Sequence, residues 1–160
     1  MYPGRPQKDM GGEEYYPATD DSAYRGKIKY IGRTSFTYYS SDENEELKGK
    51  VKTIGSNLFD YYPAYENVAF KGNIKNAGPL SFTYYSSFDE LYKGKLKSIC
   101  TTNFTYYGLI DDKAYRGKVK SIVISIFTYY SSYDRREYMG AIKSGSPTIS
   151  SICRKNIYSI

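Results

Sequence analysis

The chain has 160 residues, a formal net charge of +6, 21 tyrosines and neither histidine nor tryptophan. Without histidine, a Ser-His-Asp triad, a Cys-His pair and a histidine-ligated zinc site are all excluded. No apolar run approaches the ~20 residues of a membrane helix, so we expect no membrane span. We also expect no enzyme, cofactor or metal, because the carboxylates recur regularly and no pair stands out as acid and base.

The N-terminal residues 1–12 carry proline and glycine and lie outside the periodic pattern that follows. We predict that they form a flexible N-terminal arm. They contain no apolar segment of the kind found in a signal peptide, so we expect no signal peptide in this chain.

From residue 13 onward the sequence repeats with a period of 22 or 23 residues. Each unit contains a glycine followed by a charged or polar residue and an aliphatic one, and in the first five units a Phe and a pair of tyrosines come later. The recurring glycines are Gly26, Gly49, Gly72, Gly94, Gly117 and Gly140. This regularity predicts a tandem repeat domain over residues 13–147, with residues 148–160 as a degenerate terminal strand or cap.

Each unit contains two runs typical of β-strands, such as Tyr24 to Ile31 and Phe36 to Ser41 in the first unit. The four residues 32–35 between these runs suit a hairpin connection. Acidic segments such as 42–46 suit the longer link to the next unit. The repeating element is therefore predicted to be a β-hairpin.

The hairpins could be arranged in two ways. A parallel β-solenoid would stack equivalent lysines ~4.8 Å apart, whereas an antiparallel meander separates them by ~10 Å and places lysine stems beside tyrosine rings. Repulsion between equivalent lysines is weaker in the second arrangement. We therefore predict an all-β antiparallel meander, as a single-layer or curled sheet, with the parallel β-solenoid as the alternative.

The basic residues follow the repeat glycine closely, at the positions one before, one after and three after it. Strand alternation predicts that these positions share one face, with an apolar face opposite. The same alternation predicts that the two tyrosines of a pair point to opposite faces.

Two functions follow from this pattern. The first is a non-enzymatic structural or adhesive protein that associates with itself, as a homo-oligomer or filament, through strand edges or tyrosine-coated faces. The alternative is a module that binds an anionic polymer or glycan, such as an anionic polysaccharide, through lysine and tyrosine columns. Nucleic acid is not expected as a partner, because the net charge is modest and acidic loops lie nearby.

The candidate interface or polymer-binding residues are Lys27, Lys29, Lys50, Lys52, Lys75, Lys95, Lys97, Lys118, Lys120, Tyr38, Tyr39, Tyr61, Tyr62, Tyr84, Tyr85, Tyr106, Tyr107, Tyr129 and Tyr130.

The two cysteines, Cys100 and Cys153, are predicted to be free thiols. In an open meander they lie about two units apart, on the order of 20 Å, which exceeds the ~7 Å between Cα atoms that a disulfide can bridge.

The segments Tyr24 to Gly32 (YRGKIKYIG), Phe127 to Asp134 (FTYYSSYD) and Arg136 to Ser146 (REYMGAIKSGS) resemble the tyrosine-rich tandem repeats of secreted bacterial proteins. The hairpin with paired aromatics is also similar to choline- and glucan-binding repeats, and the period is similar to that of MORN repeats. The first resemblance implies an exported β-repeat protein, secreted or at the cell surface, and supplies no site residues.

Overall fold

The computed structural model describes residues 12–146, and every regular element within that range is a β-strand. The strands are β1 (Glu13–Tyr15), β2 (Ile28–Ile31), β3 (Thr34–Tyr38), β4 (Val51–Ile54), β5 (Asn57–Tyr61), β6 (Ile74–Ala77), β7 (Leu80–Tyr84), β8 (Leu96–Ile99), β9 (Thr102–Tyr106), β10 (Val119–Ile122), β11 (Ser125–Ile126), β12 (Thr128–Tyr129) and β13 (Ile142–Ser144). The predicted all-β class is confirmed. Across the described residues there is no helix long and apolar enough to cross a membrane.

Strands β1 to β11 form one sheet in which each strand pairs with its neighbours in sequence, and β12 pairs with β13 in a separate two-stranded sheet. All pairs are antiparallel, as in β2 with β3 and β3 with β4. The sheet is open, not closed into a barrel. The antiparallel meander is thus confirmed, and the alternative of a parallel β-solenoid is wrong.

The hairpin turns are shorter than predicted and contain two residues, as at Gly32 and Arg33 between β2 and β3. The first turn residue has φ of 59° at Gly32, 56° at Gly55 and 55° at Gly78. A positive φ at the first position of a two-residue turn is the geometry that favours glycine there. Val123 adopts φ 54° at the equivalent place, which is a strained conformation for a β-branched residue.

The other ends of the strands are joined by longer connections, which we call return loops 1 to 6. They comprise residues 16–27, 39–50, 62–73, 85–95, 107–118 and 130–141. Residues 24–27 belong to return loop 1, where the Lys27 amide donates to the Tyr24 carbonyl at 3.0 Å and Gly26 has φ 75°. The strand therefore begins two residues after the repeat glycine, and the predicted strand from Tyr24 was too long.

The pairing between successive hairpins contains a recurrent irregularity. Thr37 pairs with Thr53, but Tyr38 pairs with Val51, so Lys52 has no partner in the ladder. A bulge of this kind interrupts the alternation of side chains between the two faces. The equivalent shift occurs before Tyr15, Tyr61 and Tyr84.

The sheet has very little interior. The buried side chains of residues 12–146 are Tyr39, Phe127, Ser98 and Thr102. Stability must therefore come mainly from contacts between neighbouring units, as in other repeat proteins.

Contacts between successive return loops alternate along the chain. The Asp21 carboxylate of loop 1 accepts hydrogen bonds from the Ser41 amide at 3.0 Å and the Ser41 hydroxyl at 2.7 Å in loop 2. The same bonds join Asp112 of loop 5 to Ser132 of loop 6, and a longer version joins Asn67 to Ser87. We call these three contacts the latches.

Of the two cysteines, only Cys100 lies within the described residues. Cys100 is disulfide-bonded, so the prediction of a free thiol is wrong at that residue. The predicted separation of about 20 Å assumed that Cys153 continues the regular meander, and residue 153 lies outside the described residues. The predicted cap at 148–160 and nearly all of the predicted arm at 1–12 also lie outside them.

Candidate functional site

The paired tyrosines lie in clusters of three side chains that join successive units. The first cluster contains Tyr16, Tyr24 and Tyr38, with ring centroids 4.8, 6.0 and 6.3 Å apart. Each cluster combines the second tyrosine of one pair, the residue two before the repeat glycine and the first tyrosine of the next pair. We call these clusters the aromatic triads. The other complete triads are Tyr62–Phe70–Tyr84, Tyr85–Tyr92–Tyr106 and Tyr107–Tyr115–Tyr129.

The triads correct the prediction that the tyrosines of a pair coat opposite faces. Tyr39, a second tyrosine, packs against Tyr61, a first tyrosine, with ring centroids 6.0 Å apart. First and second tyrosines therefore share one layer. The reason is that β3 ends at Tyr38, so Tyr39 is the first residue of return loop 2 and strand alternation does not set its direction.

The tyrosine hydroxyls are bonded within the protein. Tyr38 donates to the Ile28 carbonyl and Tyr39 to the Phe59 carbonyl, each at 2.9 Å. The second bond crosses from one unit to the next. Burial raises the pKa of the Tyr61, Tyr84 and Tyr106 phenols above the ordinary value. These rings hold the sheet together, and apart from the buried Tyr39 the paired tyrosines that follow Tyr38 remain half-buried.

The lysines one residue after the repeat glycine connect neighbouring units. Lys95 donates to the Gly117 carbonyl at 2.8 Å, while its ammonium lies 5.0 Å from the Tyr106 ring centroid. Lys27, Lys50 and Lys118 make the same two contacts. Burial lowers the pKa of Lys50 below the ordinary lysine value. These four ammonium groups are engaged inside the array.

The lysines three residues after the repeat glycine lie over the second tyrosine of the preceding pair. The Lys52 ammonium is 5.3 Å from the Tyr39 ring centroid, and each such contact contributes about 0.5–1 kcal/mol at an exposed site. Lys52, Lys97 and Lys120 are exposed. The predicted basic and apolar faces are therefore wrong as separate surfaces, because lysines and aromatic rings form one layer.

The structure thus divides the predicted site residues into two groups. The first group is engaged within the protein: the tyrosines and four of the lysines make contacts between units, and Lys29 and Lys75 pair with Glu14 and Glu66. The second group consists of the exposed lysines Lys52, Lys97 and Lys120. Whether any of them binds a polymer stays a prediction.

A different set of side chains, which the sequence interpretation did not single out, is fully available to a partner. Return loops 3 to 6 each expose one large apolar residue three positions after the second tyrosine. The exposed fractions are 88% for Tyr65, 91% for Phe88, 100% for Ile110 and 95% for Tyr133. We call these four residues the apolar row. The signal was present in the sequence as the aromatic residue before aspartate in the segments SSFD and SSYD.

The apolar row lines grooves between successive return loops. A cavity of about 530 Å³ lies between Ile110 and Tyr133, with Asp111, Lys113 and Arg116 among its other lining residues. A second cavity of about 310 Å³ lies beside Tyr65 and is also lined by Leu47, Tyr61 and Pro63. Each combines apolar and charged groups.

Charge is distributed unevenly along the same rim. Return loops 2 and 3, near Tyr65, expose three acidic and two basic residues: Asp42, Glu45, Glu66, Lys48 and Lys71. Return loops 5 and 6 expose four basic residues and one acidic residue: Lys113, Arg116, Arg135, Arg136 and Glu137. The exposed charge of the rim therefore changes from slightly negative to positive along its length.

Comparison with known proteins identifies the repeat. Residues 20–134 match the BspA type leucine rich repeat region in six copies. No curated protein and no solved structure matches the chain. The period of 23 falls within the 20–29 residues of leucine-rich repeats, although each unit here contains two antiparallel strands.

BspA-type repeats are typical of surface proteins that adhere or bind, and a repeat family is consistent with a non-catalytic binding module. The tyrosine clusters recur with the repeat along the matched region. Since the match covers well over half of the 160 residues, the chain belongs to the BspA-type leucine-rich repeat family.

Proposed function

We propose that the chain is a non-enzymatic adhesive repeat region of a secreted or cell-surface protein, and that it adheres by associating with copies of itself. The observation that carries this proposal is the concentration of exposed large apolar side chains at the two rims of the sheet. The return-loop rim exposes the apolar row, and the hairpin-turn rim exposes Leu58, Val123 and Ile124.

Burying apolar surface against a second copy is favourable because it removes that surface from water. Scattered single apolar residues on a surface are ordinary, but repeated ones on one rim mark an interaction site. The tyrosine-coated faces are the weaker candidate for association, because the triads already use those rings in contacts between units. The edge strand β1 is short and begins with Glu13 and Glu14, which is typical of an edge protected from pairing.

Sedimentation velocity over a range of protein concentrations tests the proposal. We expect the weight-average sedimentation coefficient to rise with concentration and to remain raised in high salt, because apolar burial is not screened by ions. A chain that sediments as a monomer at every concentration would contradict self-association.

The second candidate function is binding of an anionic polysaccharide by the exposed lysines Lys52, Lys97 and Lys120. Two hairpins separate Lys52 from Lys97, and each of these ammonium groups lies over a tyrosine ring. A periodic column of cations suits a polymer with regularly spaced anions.

Heparin is a suitable probe for this second function. We expect its affinity to fall as the ionic strength rises, and to fall further when Lys52, Lys97 and Lys120 are changed to Gln. The matched control changes Lys48, Lys71 and Lys93 to Gln, which removes the same charge from exposed positions before the repeat glycine. Equal loss in both variants would show that only net charge matters.

A further inference from the structure

We propose that the apolar row is the interface of a dimer in which two copies of this chain pack their return-loop rims together in antiparallel orientation around a two-fold axis. This inference rests on the proposed self-association and assigns it to one surface. Three features of the rim support it: the area that it offers, the regular spacing of knobs and grooves, and the gradient of charge.

The area of the rim approaches that of a specific dimer. Aromatic side chains bury about 150–250 Å² each, so the three nearly fully exposed aromatic members of the row offer about 600 Å² per copy, and Ile110 adds to this. Val68 and Leu109, which are also exposed on return loops 3 and 5, extend this surface. A standard interface buries about 800 Å² per partner.

The spacing of the row suits a second row of the same kind. Two strands separate successive return loops, so equivalent residues lie ~10 Å apart and the row is ~30 Å long. The grooves beside Tyr65 and between Ile110 and Tyr133 have volumes of about 310 and 530 Å³. Because both copies have the same period, the side chains of one row can enter the grooves of the other in register.

The charge gradient selects the antiparallel orientation. In a parallel arrangement the acidic ends, with Asp42 and Glu66, would lie together, and the basic ends would also lie together. In the antiparallel arrangement Arg135 and Arg136 of one copy approach the acidic end of the other. Complementary potentials of this kind fix the register of an interface and exclude the alternative orientation.

The hairpin-turn rim lacks this regularity. Leu58 and Ile126 occupy the same repeat position, but Ser35, Ser81 and Asn103 occupy it in the other hairpins. The positions equivalent to the exposed Ile124 carry Arg33, Ser56, Pro79 and Thr101. An isologous interface needs one patch that is complementary to itself, and the periodic row meets this requirement better.

The first experiment compares three full-length proteins by sedimentation velocity, with far-UV circular dichroism to confirm folding. The rim variant changes Tyr65, Phe88, Ile110 and Tyr133 to Ser, and the control variant changes Leu58, Ile124 and Ile126 to Ser. We expect the dimer dissociation constant to rise at least about a hundredfold in the rim variant and to stay near the wild-type value in the control.

The possible outcomes separate the two proposals. If the wild-type chain is a monomer, self-association fails and the rim assignment fails with it. If the wild-type chain and the rim variant dimerise equally, self-association stands but the rim assignment is wrong. The same conclusion follows if only the control variant loses the dimer.

The second experiment tests the orientation. One variant carries Arg135→Glu and Arg136→Glu, another carries Asp42→Lys and Glu66→Lys, and a third combines all four changes. We expect each pair of changes to weaken the dimer and the combination to restore it, because opposite charges then meet again. If the combined variant is as weak as either pair, the antiparallel orientation is wrong.

Discussion

The contacts between return loops fall into two kinds, and the difference shows how the array is built. Loop 1 with loop 2, loop 3 with loop 4, and loop 5 with loop 6 are joined by the latches. The backbones are also close at these three places. A Cβ atom on Gly49, Gly94 or Gly140 would lie 2.5–2.6 Å from the carbonyl oxygen of Ala23, Ala69 or Ala114, respectively.

The two intervening contacts are looser. A Cβ atom on Gly72 would lie 2.7 Å from the Lys50 ammonium, at the end of a flexible side chain, but 3.9 Å from the nearest backbone atom, the Glu46 carbonyl oxygen. On Gly117 it would meet only the end of the Lys95 side chain, at 3.4 Å or more. The groove volumes do not follow this difference, because the 310 Å³ groove lies at a looser contact, between loops 2 and 3, and the 530 Å³ groove lies at a latched one, between loops 5 and 6.

The cause is visible in the side chains that form the latches. Odd loops carry Asp or Asn two residues before Ala, and even loops carry Ser two residues after the second tyrosine. At the looser contact between loops 2 and 3 the position of the serine is taken by Ala64, which has no hydroxyl. The building block is therefore a pair of hairpins, with a true period of 45 or 46 residues.

The largest expected effect comes from adding a methyl group at a tight contact and at a loose one. Gly49→Ala and Gly72→Ala both place a side chain at a positive φ, 68° and 72°, which costs about 1–2 kcal/mol. Only Gly49→Ala also forces a methyl group against a backbone carbonyl, and such overpacking costs roughly a further 1–3 kcal/mol. Urea unfolding monitored by circular dichroism measures the free energy of unfolding of both variants.

Gly26→Ala is the control for this pair, because its φ is 75° and no atom lies within 4 Å of the added Cβ position. Its free energy of unfolding should fall only by the cost of the positive φ, without a contribution from overpacking. If Gly49→Ala and Gly72→Ala destabilise the protein equally, the tight and loose contacts do not differ in energy.

Much of this architecture could be predicted from the sequence, since the repeat glycine, the β-branched and aromatic strands and the charge repulsion in a solenoid all indicated antiparallel hairpins. The positions of Lys27 and Tyr39 within the layer could not be predicted. Both residues lie in return loops, directly outside β2 and β3, and alternation within a strand does not describe the direction of side chains there.

The paired building block and the apolar row could have been found in the sequence by comparing alternate units. The segments YYPATDDSAYRG and YYPAYENVAFKG at Tyr15 and Tyr61 share Pro-Ala after the tyrosine pair and an Ala three residues before the repeat glycine, whereas YYSSDENEELKG at Tyr38 has Ser-Ser and Glu at these positions. The features that all units share do not show this difference. They also do not show that the exposed position of Tyr65 is polar in the first two loops, where Thr19 and Asp42 occupy it.

A smaller effect is expected from acid, and it should differ among the latches. Hydrogen bonds from the Ser41 and Ala23 amides lower the pKa of Asp21, and those from the Ala114 amide and Ser132 lower the pKa of Asp112. The folded carboxyls therefore bind protons less readily than the unfolded ones. Their contribution to stability is present above about pH 4 and is lost as the pH falls through the lowered folded pKa values.

Hydrogen exchange of backbone amides measures this effect for each latch. We expect the protection factors of the Ser41 and Ser132 amides to decrease in acid, because their acceptors become protonated. The Ser87 amide is the internal control, because its acceptor is the uncharged Asn67 side chain. A parallel decrease at all three serines would indicate general unfolding and not loss of the latches.

The smallest effect should come from adding a latch where the chain lacks one. Ala64→Ser supplies a hydroxyl and Asn44→Asp a carboxylate at the two positions that correspond to Ser41 and Asp21. A new hydrogen bond contributes about 0.5–1.5 kcal/mol, so the double variant should be more stable than the wild type by roughly that amount. Asn44→Asp alone serves as the control, because Ala64 has no hydroxyl, whereas Ala64→Ser alone should form only the longer Asn–Ser latch that joins Asn67 to Ser87. If the double variant gains no more than the sum of the single variants, the latch does not couple loops 2 and 3, and the paired building block must depend on the closer backbone packing at Gly49, Gly94 and Gly140 instead.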